Sequence, residues 1–183
     1  MTLLIIGLLL WSVAHLFKRL APNLRARLGN TAKGGVAVAL FVSIVLMVLG
    51  YRSADTATLW ALPAWTTHVN NTLMLLAVAL LGLGNSKSRL RGTLRHPMLL
   101  GVLTWAVAHL LVNGDLASLV LFGGLGLWSL FQMTAINARQ PNWDRWTGGS
   151  FAGDIRLGVI TVVVYGVIIA IHSWIGLSPI PGM

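Results

Sequence analysis

Cysteine is absent from all 183 residues, and that absence removes disulfides, iron–sulfur clusters, thiolate catalysis and covalent haem attachment through a C-x-x-C-H motif. Any bound metal would have to be held by His, Asp, Asn or backbone. Acid is nearly as scarce: four Asp and Glu stand against 13 Lys and Arg, for a net charge of +9. In a soluble protein such an excess would point to nucleic acid. Here charged residues make up only 9% of the chain and hydrophobic ones 56%, and the basic residues gather between long apolar runs. They read as topology signals, and nucleic acid is not an expected partner. The mean hydropathy of +0.81 places the chain among polytopic membrane proteins, with the lipid bilayer as its first partner.

Apolar runs at about 2–17, 35–50, 66–84, 97–112, 116–136 and 157–177 each approach the length of a bilayer-crossing helix. The expected fold is therefore all-α, a single transmembrane domain over residues 1–183 with about six spans. The first run has no basic segment before it and ends in Lys18 and Arg19 without a small-residue cleavage site, so it reads as a retained helix and not a signal peptide. The stretch from Lys18 to Lys33 holds five basic residues and no acid, and that from Asn85 to His96 holds Lys87, Arg89, Arg91 and Arg95, again without an acid. The loop from Asn137 to Arg156 is also biased towards base. All three fall on one side, which the positive-inside rule makes cytoplasmic, with both termini on the other.

Local signals fill in the connections. Asn113-Gly114-Asp115 reads as a tight hairpin, with Gly114 in the left-handed closing position and Asp115 capping the next helix. Pro97 sits where a helix tolerates it best, in the first turn. Trp60, Trp65, Trp143 and Trp146 lie in or beside loops and read as interface anchors. The stretch RQPNWDRWTGGSFAGD, Arg139 to Asp154, is rich in turn formers and reads as a loop. No Lys, Arg, Asp or Glu falls in the middle of a span, which disfavours a charge-coupled transporter. Gly166 and Ala170, four apart, read as a close-packing stripe.

The polar chemistry left inside the spans is histidine. WSVAH, Trp11 to His15, is nearly repeated as WAVAH, Trp105 to His109. In each, a tryptophan one turn back walls an imidazole, a setting that suits the axial ligand of a flat hydrophobic cofactor such as haem; the plainer alternative is a histidine bonded to a neighbouring helix's carbonyl or hydroxyl. Depth separates the two, since His15 lies roughly 20 Å from the outer end of its span and His109 about 5 Å from the outer end of its own. His68, followed by Asn70 and Asn71, enters the third span at the level of His109. His96 stands beside Arg95 and Pro97, where a headgroup or capping role is plainest. His172 reads as interface packing.

The segment RHPMLLGVLTWAVAHLLVNGDLASLVLFGGLGLW, Arg95 to Trp128, together with VAHLF, ARLGNTAKGG and AWTTHVNNTLML, resembles the NnrU family of bacterial membrane proteins, and the likeness is strongest over 1–139. The family name is associated with denitrification, and the family is similar to 15-cis-zeta-carotene isomerase, a membrane enzyme with a non-covalent b-type haem. The resemblance implies a bacterial inner-membrane protein that binds haem b. It implies His109 and His15 as axial ligands, with His68 the alternative to His15, and His96, Pro97 and Asp115 as further motif positions. It leaves three roles open: redox or nitric oxide chemistry beside respiratory or denitrification membrane proteins, cis-trans isomerisation of a polyene, or a cofactor-free accessory role. The isomerase has a cysteine close to the histidine of its fourth span; Ala106 stands there in this chain, so a thiolate ligand switch is not available to it.

Overall fold

The computed structural model describes residues 1–180. Apolar composition without strand-like alternation yields helices, and those residues fold as α1 (Thr2–Leu20), α2 (Pro22–Arg52), α3 (Thr66–Leu83), α4 (Pro97–Leu110), α5 (Leu116–Arg139) and α6 (Phe151–Trp174). Five of these, all but α4, are long and apolar enough to cross a membrane. α4 has 14 residues, or about 21 Å against a hydrocarbon core of about 30 Å. Its outer end is completed by protein: Leu59 and Trp60 donate backbone N–H groups to the Gly114 carbonyl at 2.6 and 3.1 Å, and the Trp60 indole donates to the Leu110 carbonyl at 3.2 Å. Irregular backbone at that depth is tolerated because protein covers it.

α1 and α2 form one antiparallel hairpin and α3 and α4 another; α5 packs on both α4 and α1, and α6 lies against α3. Glycines set the closest approaches. A Cβ at Gly50 would overlap the Leu4 backbone, and one at Gly101 would come within 3.1 Å of the Ala77 carbonyl oxygen. The core gathers Leu4, Met47, Ala117 and Leu125, with Trp11 of α1 and Trp105 of α4 packed against it.

The structure revises four local readings. The basic stretch before the second span is helical, because Pro22–Leu28 is rich in helix formers; the chain then bends at Gly29, whose φ of 52° and ψ of −126° only glycine adopts at low cost. Gly114 does not take a positive φ. The end of α4 is closed instead by its own carbonyls, with the Asn113 amide bonded to the His109 carbonyl at 2.9 Å, and Gly114 is needed because a side chain there would strike the Trp60 carbonyl. α6 starts at Phe151, six residues before the apolar run, since Ser150 caps it by accepting from the Gly153 amide at 3.1 Å. Asp154 thereby enters the first turn, where the helix dipole favours a carboxylate. Gly166 faces open space, so it packs against no helix; Tyr165 makes the contact with α3 by donating to the Asn71 carbonyl at 3.0 Å. Asp115 and Pro97 behave as expected: the first accepts from the Ser118 amide at 2.9 Å, and the second occupies the first turn of α4.

Candidate functional site

α1 presents Leu4, Trp11 and His15 along one stripe, at spacings that keep them on one helix face. His15 is the fourth residue after Trp11, and the geometry this allows is specific: the His15 Nδ1–H donates to the Trp11 carbonyl at 3.0 Å while the two rings pack 4.2 Å apart. α4 repeats the arrangement, with the His109 Nδ1–H donating to the Trp105 carbonyl at 2.9 Å and the rings 5.1 Å apart. A carbonyl oxygen only accepts, so the proton of each neutral imidazole sits on Nδ1. The Nε2 lone pair is left free. The carbonyl partner is on the histidine's own helix, so neither imidazole serves as a hydrogen-bond bridge between helices.

α5 supplies the other wall. The Asp115 carboxylate starts it, accepting from the Ser118 amide and, at 2.6 Å, from the Ser118 hydroxyl; that hydroxyl meets the Tyr51 hydroxyl at 2.8 Å, which ties α5 to α2. Burial pushes the Asp115 carboxyl up, but the hydrogen bonds from Ser118 and Thr56 outweigh it and hold the group below the ordinary carboxylate range. The next turn, Leu119–Gly123, is π-helical and takes one more residue than an α turn, which rotates the faces that follow it. Phe122 stacks on His109 with centroids 4.5 Å apart and planes 25° apart. Trp128 meets His15 at 4.8 Å and Trp11 at 5.5 Å, both edge to face.

α5 also measures depth. Its contacts to His109 and to His15 are six residues apart, about 9 Å at the rise of an α-helix. The structure therefore places the two histidines in separate aromatic brackets and not side by side. His68 is level with His109, because the Thr66 hydroxyl donates to the Leu111 carbonyl at 3.2 Å and the two histidines lie two residues inward from those partners; its side chain is exposed at the rim of α3. His172 lies within electrostatic reach of His109. From sequence, His172 reads as interface packing alone. The same Nδ1 arrangement recurs there, with the Nδ1–H donating to the Ile168 carbonyl at 2.8 Å.

The remaining predicted positions have structural partners. Asn70 donates to Asn71 at 3.0 Å and Asn71 to the Pro179 carbonyl at 2.9 Å, so this pair joins α3 to the segment after α6. His96, through Nε2, donates to the Asn137 side-chain oxygen at 2.8 Å, which closes the inner end of α4 on α5. One turn inward from His15, Arg19 donates to the buried Gln132 at 2.9 Å. The indole N–H groups of Trp11 and Trp128 are buried without a hydrogen-bond acceptor.

Six apolar helices packed around His15 and His109, with no charged side chain at mid-depth among the described residues, define a polytopic helical membrane protein. The chain belongs to the NnrU family: the family model described as NnrU protein matches residues 3–179, which extends the likeness through α6. Comparison with curated proteins and with solved structures finds no match.

Proposed function

We propose that this protein holds a b-type haem in the membrane through the Nε2 of His109, and serves redox or nitric oxide chemistry alongside respiratory or denitrification membrane proteins. The observation that carries this reading is the locked imidazole. His109 is oriented by the Trp105 carbonyl, stacked on Phe122, and presents an unprotonated Nε2 in apolar surroundings.

The donor set fits the group. Among the described residues no cluster of three or more His, Cys, Asp or Glu side chains stands ready to cage a metal ion. A macrocycle that brings four of its own donors asks the chain for only one or two imidazoles. When bound, haem supplies one-electron chemistry and an iron that takes diatomic ligands. Trp105 and Phe122 exclude water from the imidazole, and the Trp105 carbonyl raises its basicity by holding Nδ1–H. A second imidazole to hold the group would come from His15, which the family resemblance favours, or from His68, which shares the level of His109 while His15 lies about 9 Å further in. Trp11 and Trp128 would then wall His15 as a separate bracket.

The test is an absorption spectrum of the detergent-purified protein expressed with ample haem, oxidised and then reduced with dithionite. The expected result is a Soret band with sharp reduced α and β bands that collapses in His109→Ala and in one of His68→Ala or His15→Ala. A folded, colourless wild-type protein would sink the reading.

A further inference from the structure

At the opposite, basic end of the bundle lies a cavity of about 700 Å³ that the histidine brackets do not touch. Its floor is the inner mouth of α3 and α4, with Leu94, Met98 and Leu99 among its apolar residues. Its rim carries Arg91, Arg95 and Arg145 with Trp143 and Trp146, and one carboxylate, Asp144.

The rim is a built structure. The Ser150 amide donates to the Lys87 carbonyl at 3.1 Å, and the Ser88 hydroxyl donates to Asp154 at 2.7 Å, which stitches the α5–α6 loop to the short turn Arg89–Gly92 before α4. A side chain at Gly92 would strike the Trp146 carbonyl, and Gly149 needs its φ of 121° for the loop to pass Arg89. The guanidiniums are held by neutral groups. Arg91 lies over the Trp146 ring at 5.0 Å and donates to the Ser86 carbonyl at 3.2 Å; Arg145 lies over Trp143 at 5.2 Å; Arg95 donates to the Gln140 and Pro141 carbonyls. Among the described residues the only ion pair is Arg89 with Asp154, outside this rim, so the positive charge of the three rim arginines is not neutralised by a salt bridge.

Stacked on indole faces, guanidinium planes keep their N–H edges for oxygen acceptors, and their fork geometry suits phosphate. The floor adds apolar surface at the start of α4, which suits the beginning of acyl chains. We propose that this cavity binds the phosphate headgroup of an anionic lipid from the surrounding leaflet, with Arg91, Arg95 and Arg145 on the phosphate and Met98 and Leu99 against the start of the chains.

The experiment is calorimetric titration of delipidated protein in a non-ionic detergent with dihexanoyl phosphatidic acid, dihexanoyl phosphatidylcholine and inorganic phosphate. Phosphatidic acid is expected to bind at one equivalent, at least tenfold more tightly than either competitor, and to weaken at least fivefold in Arg91→Gln and in Arg145→Gln. Equal affinity for the two lipids, or unchanged affinity in both variants, overturns the proposal. Inorganic phosphate binding as tightly as the acid overturns the lipid assignment in favour of a soluble phosphate compound. Arg145 is exposed on the loop, so its variant decides the matter if Arg91→Gln does not fold. Haem absorbance is not the readout, so this result is independent of the histidine reading.

Discussion

A single residue spacing organises the middle of this protein. With the histidine four positions after the tryptophan, the imidazole reaches back to the carbonyl of the same tryptophan whose ring it packs on, and it does so on both α1 and α4. The tryptophan walls were legible in WSVAH and WAVAH because they are local. Phe122 and Trp128 were not, since nothing within α5 says which helix its aromatics will meet. Asp115 was legible as a cap, and it allows a prediction. Its folded-state carboxyl lies below the ordinary range, so its stabilising contribution is complete above the unfolded value of about 3.9 and is lost as pH falls through the lower folded value. Thermal melts in detergent should show Asp115→Ala destabilised by about 1 kcal/mol at pH 7. That gap from wild type should close as the pH falls towards 3; a constant gap would show that the carboxylate's charge contributes nothing.

At the scale of the helix, the departures from sequence expectation have local causes. α6 begins early because the Ser150 cap recruits residues that read as a loop, and α2 begins early because its basic leg has good helix formers. Hydropathy marks where a helix is apolar and is blind to where it starts. The π turn in α5 had no sequence mark either, as LVLFG contains nothing that an α turn forbids. Gly29 carries the bend in α2, and Gly29→Ala should cost about 1–3 kcal/mol because its φ and ψ lie outside the regions open to alanine. Gly50→Val meets a harder obstacle, the Leu4 backbone, and should part α1 from α2. A loss of about 1–3 kcal/mol is the minimum expected from overpacking. Circular dichroism melts of the two variants would check both; a Gly50→Val protein as stable as wild type would contradict the helix contact.

For the molecule as a whole, the order of apolar runs and basic loops was enough to place six helices, and charge placement argues for an orientation. We propose that the Arg-rich end with Arg91, Arg95 and Arg145 faces the cytoplasm, as the positive-inside rule requires. The lack of cysteine makes this simple to test. In intact bacterial cells, a membrane-impermeant thiol reagent should label Asn113→Cys and spare Asp144→Cys, and the reverse pattern would invert the topology. Pairing of the helices was less accessible, because apolar faces that all meet lipid or one another carry little information about partner choice.

The place of α5 has a consequence for biogenesis. The two hairpins, α1 with α2 and α3 with α4, are complete when Asn113 leaves the ribosome, yet the aromatic rings that close on His15 and His109 come from the helix made next. Until that helix inserts, both imidazoles stand open to lipid. Any guest of these brackets must therefore be loaded late, after the fifth helix has entered the bilayer, and a chain stopped at Gly114 should insert into the membrane but retain nothing.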